Sequence, residues 1–183
     1  SRHYNLFYLD TGKIYRFIAY LKINFPSKFN LSFLRKKIKK LKVKDLRNKS
    51  LISDRVGFEA SIISKNNSIR KLVHSFQINC AYNPPKKYYG SCLDGRDITY
   101  KIIPDAEFKF FITADKNARA NRRLHDLIKF GDKNIDEFDS VLKELSTRDH
   151  KDSTRNHSPL KKAEDAFEID TTHLTIDEVV KKI

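Results

Sequence analysis

Apolar residues recur along the chain in short bursts whose spacing switches between strand and helix periods. Residues 5–9 form a compact apolar run that reads as a buried strand ending at Asp10. Thr11 stands where a helix cap is expected, ahead of a helix over 12–21 with Ile14, Phe17, Ile18 and Leu21 on one stripe. Pro26 ends that pattern. Leu34, Ile38 and Leu41 then mark one side of a basic amphipathic helix over 31–41, and a polar stretch follows over 44–50. Two further helices are expected over 55–64 and 68–78. Ser68 caps the second, whose inner face carries Ile69, Leu72, Val73 and Phe76.

After the loop at Asn83-Pro84-Pro85, a short strand over 88–93 ends at Asp94. A strand over 107–112 follows the turn at Pro104-Asp105. A helix over 116–130 is closed by Gly131, and another runs over 135–148 with Ile135, Phe138, Val141, Leu142 and Leu145 inward. A strand over 166–169 precedes a last helix, where Thr175 and Glu178 have capping-box spacing. Strands alternating with helices predict an α/β fold with a mainly parallel sheet. Ligands in such sheets bind at the carboxyl ends of strands, which singles out Asp10 and Asp94.

Composition narrows the function class. The chain has 183 residues, 39% of them hydrophobic, which suits a folded domain and argues against general disorder. No apolar run is long enough to span a bilayer, and no signal-peptide core follows Ser1, so a cytoplasmic protein is expected. Cys80 and Cys92 have neither CxxC spacing nor a histidine partner pattern and read as reduced thiols. The net charge of +14 favours anionic partners, nucleic acid and nucleotide phosphates alike. Much of the excess lies over 35–49, where no aromatic residue is interleaved to stack on bases. That stretch reads as a solvated face, and no stable nucleic-acid partner is expected.

Three clusters could carry chemistry. In Asp10-Thr11-Gly12-Lys13-Ile14-Tyr15-Arg16, an arginine one turn into the helix could hold a phosphate, although an ordinary strand–turn–helix junction would look the same. In Asp94-Gly95-Arg96-Asp97, Asp94 is a candidate catalytic base or metal-water ligand. Arg96 could grip a phosphate through its bidentate fork, and Asp97 could accept from a base amino group; a tight turn with a surface ion pair is the alternative. In the run 148–155, Arg148, Asp152 and Arg155 would share one helical face, either as a solvated salt-bridge ladder or as a mobile clamp for phosphate and sugar.

The segments LDTGKIYR, SIRKLVHSFQ, DGRD with IPDAEFKFF, ARANRR, and RDHKDSTR with SPLKKAEDAFEIDTTHLTIDEVV resemble, in this order, the bacterial cytidylate kinases. The resemblance implies a P-loop nucleoside monophosphate kinase fold. Its core would be 1–25 and 90–183, its lid about 147–161, and its inserted monophosphate-binding lobe 26–89. It further implies transfer of the γ-phosphoryl of ATP, with Mg2+, to CMP or dCMP by a monomeric enzyme. Carried onto this sequence, Thr11 sits beside the acceptor nucleotide. Arg16, Arg96 and Arg155 contact its phosphate. Ser61, Arg70 and Asp97 read the base, Arg148 and Asp152 hold the sugar, and Arg119, Arg122 and Arg123 lie near ATP. Asp94, Arg96, Arg148 and Arg155 make up the expected catalytic set.

Some features depart from the family pattern. The family begins with a GxxxxGK[ST] loop whose amides cradle ATP phosphates, and the five glycines here form no such run. The expectation is an amino-terminally truncated chain with negligible turnover by itself. Thr99-Tyr100 stands where Gly-Thr is usual, and the stretch between Arg16 and Ser61 is shorter than usual. Two rival readings follow: an inactive nucleotide-binding remnant, and a basic nucleic-acid-binding protein using 35–49.

Overall fold

The computed structural model describes residues 1–129 and 137–183; the expected helix stop at Gly131 and the inward Ile135 lie outside the described residues. The chain divides into two compact units, Ser1–Ile98 and Thr99–Ile183.

In the first unit, β1 (Leu6–Asp10) leads into α1 (Gly12–Asn24). Helices α2 (Leu31–Lys39), α3 (Asp54–Ile63) and α4 (Asn67–Tyr82) precede β2 (Gly90–Asp94). Side chains alternate across β1, so Phe7 and Leu9 face the core while Tyr8 faces out. β1 and β2 pair in parallel, with Leu6 opposite Gly90 and Asp10 opposite Asp94. The two aspartates expected at strand ends therefore stand side by side. One contiguous core holds Leu9, Ile14, Ile18, Leu34, Ile38, Ile69 and Val73. The stripe expected on α1 is narrower than its sequence suggests: Ile14, Ile18 and Leu21 are buried, while Phe17 is half-buried.

Two caps differ from expectation. Thr11 occupies the cap position of α1 but makes no side-chain cap bond. Its buried hydroxyl donates instead to the Asp94 carbonyl at 2.7 Å, and Asp10 Oδ1 accepts from the Lys13 amide at 3.3 Å. A strand-end acid thus does the capping, while the threonine ties α1 to β2. Helix α4 starts earlier than its apolar pattern indicates, and Asn66 rather than Ser68 caps it by accepting from the Ile69 amide at 3.1 Å.

In the second unit, β3 (Phe110–Thr113) is followed by α5 (Lys116–Lys129), α6 (Phe138–Thr154), β4 (Phe167–Asp170) and α7 (Ile176–Lys182). β3 and β4 pair in parallel, Phe110 opposite Phe167. Val141, Ala163, Ala166 and Ile169 are buried, and Ala120 is the buried residue of α5. The capping box at Thr175 and Glu178 forms as its spacing predicts. Helix α6 is longer than expected and carries the run 148–154, but Arg155 lies past its end in extended backbone. The shared helical face expected for Arg148, Asp152 and Arg155 therefore stops at Asp152.

All strand pairing among the described residues is parallel, as expected of an α/β chain. It takes the form of two two-stranded sheets rather than one larger sheet.

Candidate nucleotide site

The sharp turn after β2 builds the first part of the site. Gly95 follows Asp94 there, and a Cβ at Gly95 would lie 2.4 Å from Thr11 Oγ1 and 2.9 Å from Ile98. Glycine is required because the turn presses against the threonine that links the two strand ends. The turn delivers Asp97 inward. Its carboxylate accepts from Arg70 Nη2 at 2.8 Å, with side-chain exposures of 9% and 14%, so the pair is withdrawn from water. Arg70 donates a second bond to the Ser64 carbonyl at 3.1 Å and lies over the Tyr15 ring at 5.8 Å. Two residues picked out for base recognition, one on α4 and one after β2, therefore meet. Ser61 is exposed and donates to the Phe58 carbonyl at 2.7 Å within its own helix. Arg96 is half-buried.

Arg16 projects from α1 to the segment before α3. Its guanidinium donates to the carbonyls of Leu51 at 2.9 Å, Ile52 at 3.3 Å and Ser53 at 3.4 Å. Gly57 admits this arrangement, since a Cβ there would lie 3.0 Å from the guanidinium. A phosphate at Arg16 would replace neutral carbonyl acceptors with charged oxygens, which make the stronger bonds.

Sequence reasoning overlooked Tyr8 and Tyr15. Tyr8 points out of β1 and its hydroxyl donates to Asp94 Oδ2 at 3.2 Å. Burial first, then the Asp94 and Asp10 carboxylates, hold its ionisation far above the ordinary tyrosine range. Its position two residues before Asp10, on a strand with period-two alternation, was the available signal. Tyr15 carried none, because only the fold brings its ring to Arg70.

The second unit holds the remaining candidates. On α6, Arg148 Nε lies 3.9 Å from Asp152 Oδ2, and Arg155 Nη1 lies 3.3 Å from Asp152 Oδ1. Arg155 Nε also donates to the Ser158 carbonyl at 2.7 Å. Ser158 is a buried residue with positive φ, and its hydroxyl takes a bond from Lys101 at 2.9 Å. The expected trio is thus joined through Asp152 even though Arg155 has left the helix. Arg119 makes a two-pronged ion pair with Asp149, which raises the ionisation of its guanidinium. Arg122 donates to Thr171 Oγ1 at 3.2 Å and to the Thr172 carbonyl at 3.4 Å. Arg123 is half-buried on the same helix.

Among the described residues, no three His, Cys, Asp or Glu side chains converge as a metal cluster. No helix among the described residues is long and apolar enough to cross a membrane. Cys80 and Cys92 are free thiols, and burial pushes the Cys80 thiol up to about 11.

A family model described as cytidylate kinase matches residues 1–183. The chain belongs to the cytidylate kinase family. A cytidylate kinase of Bartonella tribocorum is 39% identical over 182 residues, covering 97% of this chain and 80% of the relative. One from Thermosipho melanesiensis is 35% identical over 189 residues, covering 97% and 83%. One from Clostridium tetani is 38% identical over 200 residues, covering 100% and 83%. The resemblance read from the sequence is therefore borne out at the level of the family.

Proposed function

We propose that the protein transfers the γ-phosphoryl of ATP to CMP or dCMP on a nucleoside monophosphate kinase fold. In this reading 1–25 and 90–183 form the core, 26–89 the monophosphate-binding lobe and about 147–161 the lid. The observation that carries the reading is the buried Arg70–Asp97 pair beside Tyr15. Cytosine presents an amino donor beside two acceptors, which suits a carboxylate next to a guanidinium. Uracil would turn a carbonyl toward Asp97 and leave two acceptors facing, at a cost of about 1–3 kcal/mol. Ser61 would complete the base contacts. Arg16, Arg96 and Arg155 would neutralise the acceptor phosphate beside Thr11, and Arg148 with Asp152 would hold the sugar.

Magnesium in phosphoryl transfer is held mostly by phosphate oxygens and water, with one or two carboxylates. Asp10 and Asp94, adjacent in register and jointly acting on Tyr8, fit that modest demand. Bound there, the ion would neutralise charge on the transferring group. Arg119, Arg122 and Arg123 are the proposed ATP contacts. Positioning and charge neutralisation dominate this chemistry, so a set of contacts rich in arginine suits it.

The test is thermal stabilisation by nucleotides together with CDP formation. CMP and dCMP are expected to stabilise the protein by about 2.7 kcal/mol at a hundredfold excess over Kd, with UMP and AMP far weaker. Asp97→Asn should remove that preference. CDP formation at about 1–100 s−1 is the expected result; CMP stabilisation without CDP formation in the presence of ATP would overturn the transferase reading.

A further inference from the structure

The excess positive charge over 35–49 is not used by the proposed reaction, and the first unit gives it a shape. Helix α2 ends at Lys39, and the chain turns back through a short 3-10 segment, Val43–Arg47, to face α1. Between them lies an open cavity of about 600 Å3 lined by Phe17 and Tyr20 from α1 and by Lys37, Lys40, Lys44 and Arg47 from the basic stretch. Its volume lies within the range of about 300–1,000 Å3 that accommodates small ligands.

No aromatic residue interrupts 35–49, so the stretch by itself offers no platform on which a base could stack. The fold supplies the rings from a different element. Phe17 and Tyr20 are both half-buried, packed against the core cluster and lining the cavity. The acid in the lining, Asp45, is engaged locally and accepts from the Lys42 amide at 2.9 Å. Lys37 lies over the rings of Phe25 and Phe33, at 5.8 and 5.5 Å. Among the described side chains, no carboxylate is in ion-pair range of Lys40, Lys44 or Arg47. Clustered like charges repel one another, and an incoming anion relieves that repulsion.

We propose that this cavity binds a phosphate bearing a planar base, with the phosphate among Lys40, Lys44 and Arg47 and the base against Phe17 and Tyr20. The ligand is a free nucleotide or one nucleotide of a single-stranded nucleic acid; the recognition chemistry is common to both. The site is separate from the acceptor contacts proposed above, although Arg47 and Asn48 lead directly into the Leu51–Ser53 carbonyls that hold Arg16.

The experiment measures fluorescence anisotropy of a labelled oligouridylate of about 12 nucleotides on the full chain at low salt, with unlabelled ATP as competitor. Wild type is expected to bind with a negative log–log salt slope of about −0.7 for the one phosphate held in the cavity, steeper by the same amount for each flanking phosphate of the strand that is also neutralised. Lys40→Glu/Lys44→Glu/Arg47→Glu should weaken binding at least tenfold while leaving stabilisation by CMP unchanged. Tyr20→Leu should weaken it about tenfold at an unchanged salt slope. Should the charge-reversed protein fail to fold, Lys44→Gln/Arg47→Gln reads the same contacts with a smaller loss. Displacement by ATP identifies a free nucleotide as sufficient; retention of the oligonucleotide against ATP identifies the strand. Binding of both probes undiminished in the charge-reversed and neutralised variants, or no binding of either probe to wild type, overturns the proposal. The oligonucleotide binding, its salt slope and its loss in the variants do not depend on whether CMP is the phosphoryl acceptor.

Discussion

Arg70 in the first unit and Arg148 in the second are both candidate substrate contacts, but they are held in opposite ways. Arg70 is almost withdrawn from water, and its carboxylate partner lies 27 positions away on another element. Arg148 is 61% exposed, and its partner is one helical turn along the same helix. The first arrangement exists only once the tertiary fold exists and carries a desolvation cost that its hydrogen bonds must offset. The second lies within one helix and leaves the Arg148 side chain mostly in solvent. A base reader benefits from being preformed, because specificity comes from donors and acceptors that cannot adapt. A clamp on phosphate and sugar must release product, so a solvent-exposed side chain suits it.

The largest expected effect follows from breaking the buried pair. Arg70→Ala leaves Asp97 as an uncompensated buried carboxylate and should cost about 3–5 kcal/mol of stability, read as a drop in the urea midpoint. Arg70→Leu/Asp97→Leu should recover most of that loss while CMP stabilisation stays abolished. Recovery of stability without binding would show that the pair serves recognition rather than folding. If the single and double variants were equally destabilised, the contrast with Arg148 would fail at its first term.

Gly95→Ala tests the turn that delivers Asp97. The new Cβ would meet Thr11 Oγ1 at 2.4 Å, so either the turn or the threonine must move. A loss of about 1–3 kcal/mol is expected, with weaker CMP stabilisation because Asp97 is displaced. Arg148→Ala is the matching probe of the other region. An exposed pair at 3.9 Å contributes at most about 1 kcal/mol, so the thermal midpoint should scarcely move. CMP affinity should nonetheless fall by about 1.5–3 kcal/mol if Arg148 bonds the bound nucleotide. A large stability loss at Arg148 would place it in the structure rather than in a clamp.

The same contrast explains what could be read from the amino-acid order. Local devices were legible: the capping box at Thr175, the inward Ile14 and Ile18, and strand ends at Asp10 and Asp94 all depend on neighbours within a few residues. A rule about parallel sheets singled out Asp10 and Asp94 as strand-end residues, but the pairing of β1 with β2 that sets them side by side is a property of the fold. What escaped was set by long-range packing. Thr11 has the side chain of a cap, but β2 offers it a buried carbonyl, and that bond wins. Arg155 keeps helical spacing, yet the chain turns at Thr154 so that its guanidinium reaches the Ser158 carbonyl. The rings beside the basic stretch 35–49 come from α1, which no window over that stretch contains.

The smallest expected effect concerns a buried cation of the second unit that is neither preformed for substrate nor loosely held. Lys109 is 8% exposed and donates to the Pro104 carbonyl and to Asp165, a largely exposed carboxylate. The bond from Lys109 holds the Asp165 carboxyl below its ordinary value of 3.8. A carboxylate depressed in the folded state binds its proton more readily once unfolded. Its contribution is therefore complete above about pH 4 and is lost as pH falls through the lower folded value. Urea midpoints should accordingly be flat in pH near neutrality and decline in the acid range. Asp165→Asn should flatten that decline while lowering the neutral midpoint slightly. An acid decline that is identical in the variant would assign it to other carboxylates and leave the Lys109 pairing without a share in acid stability.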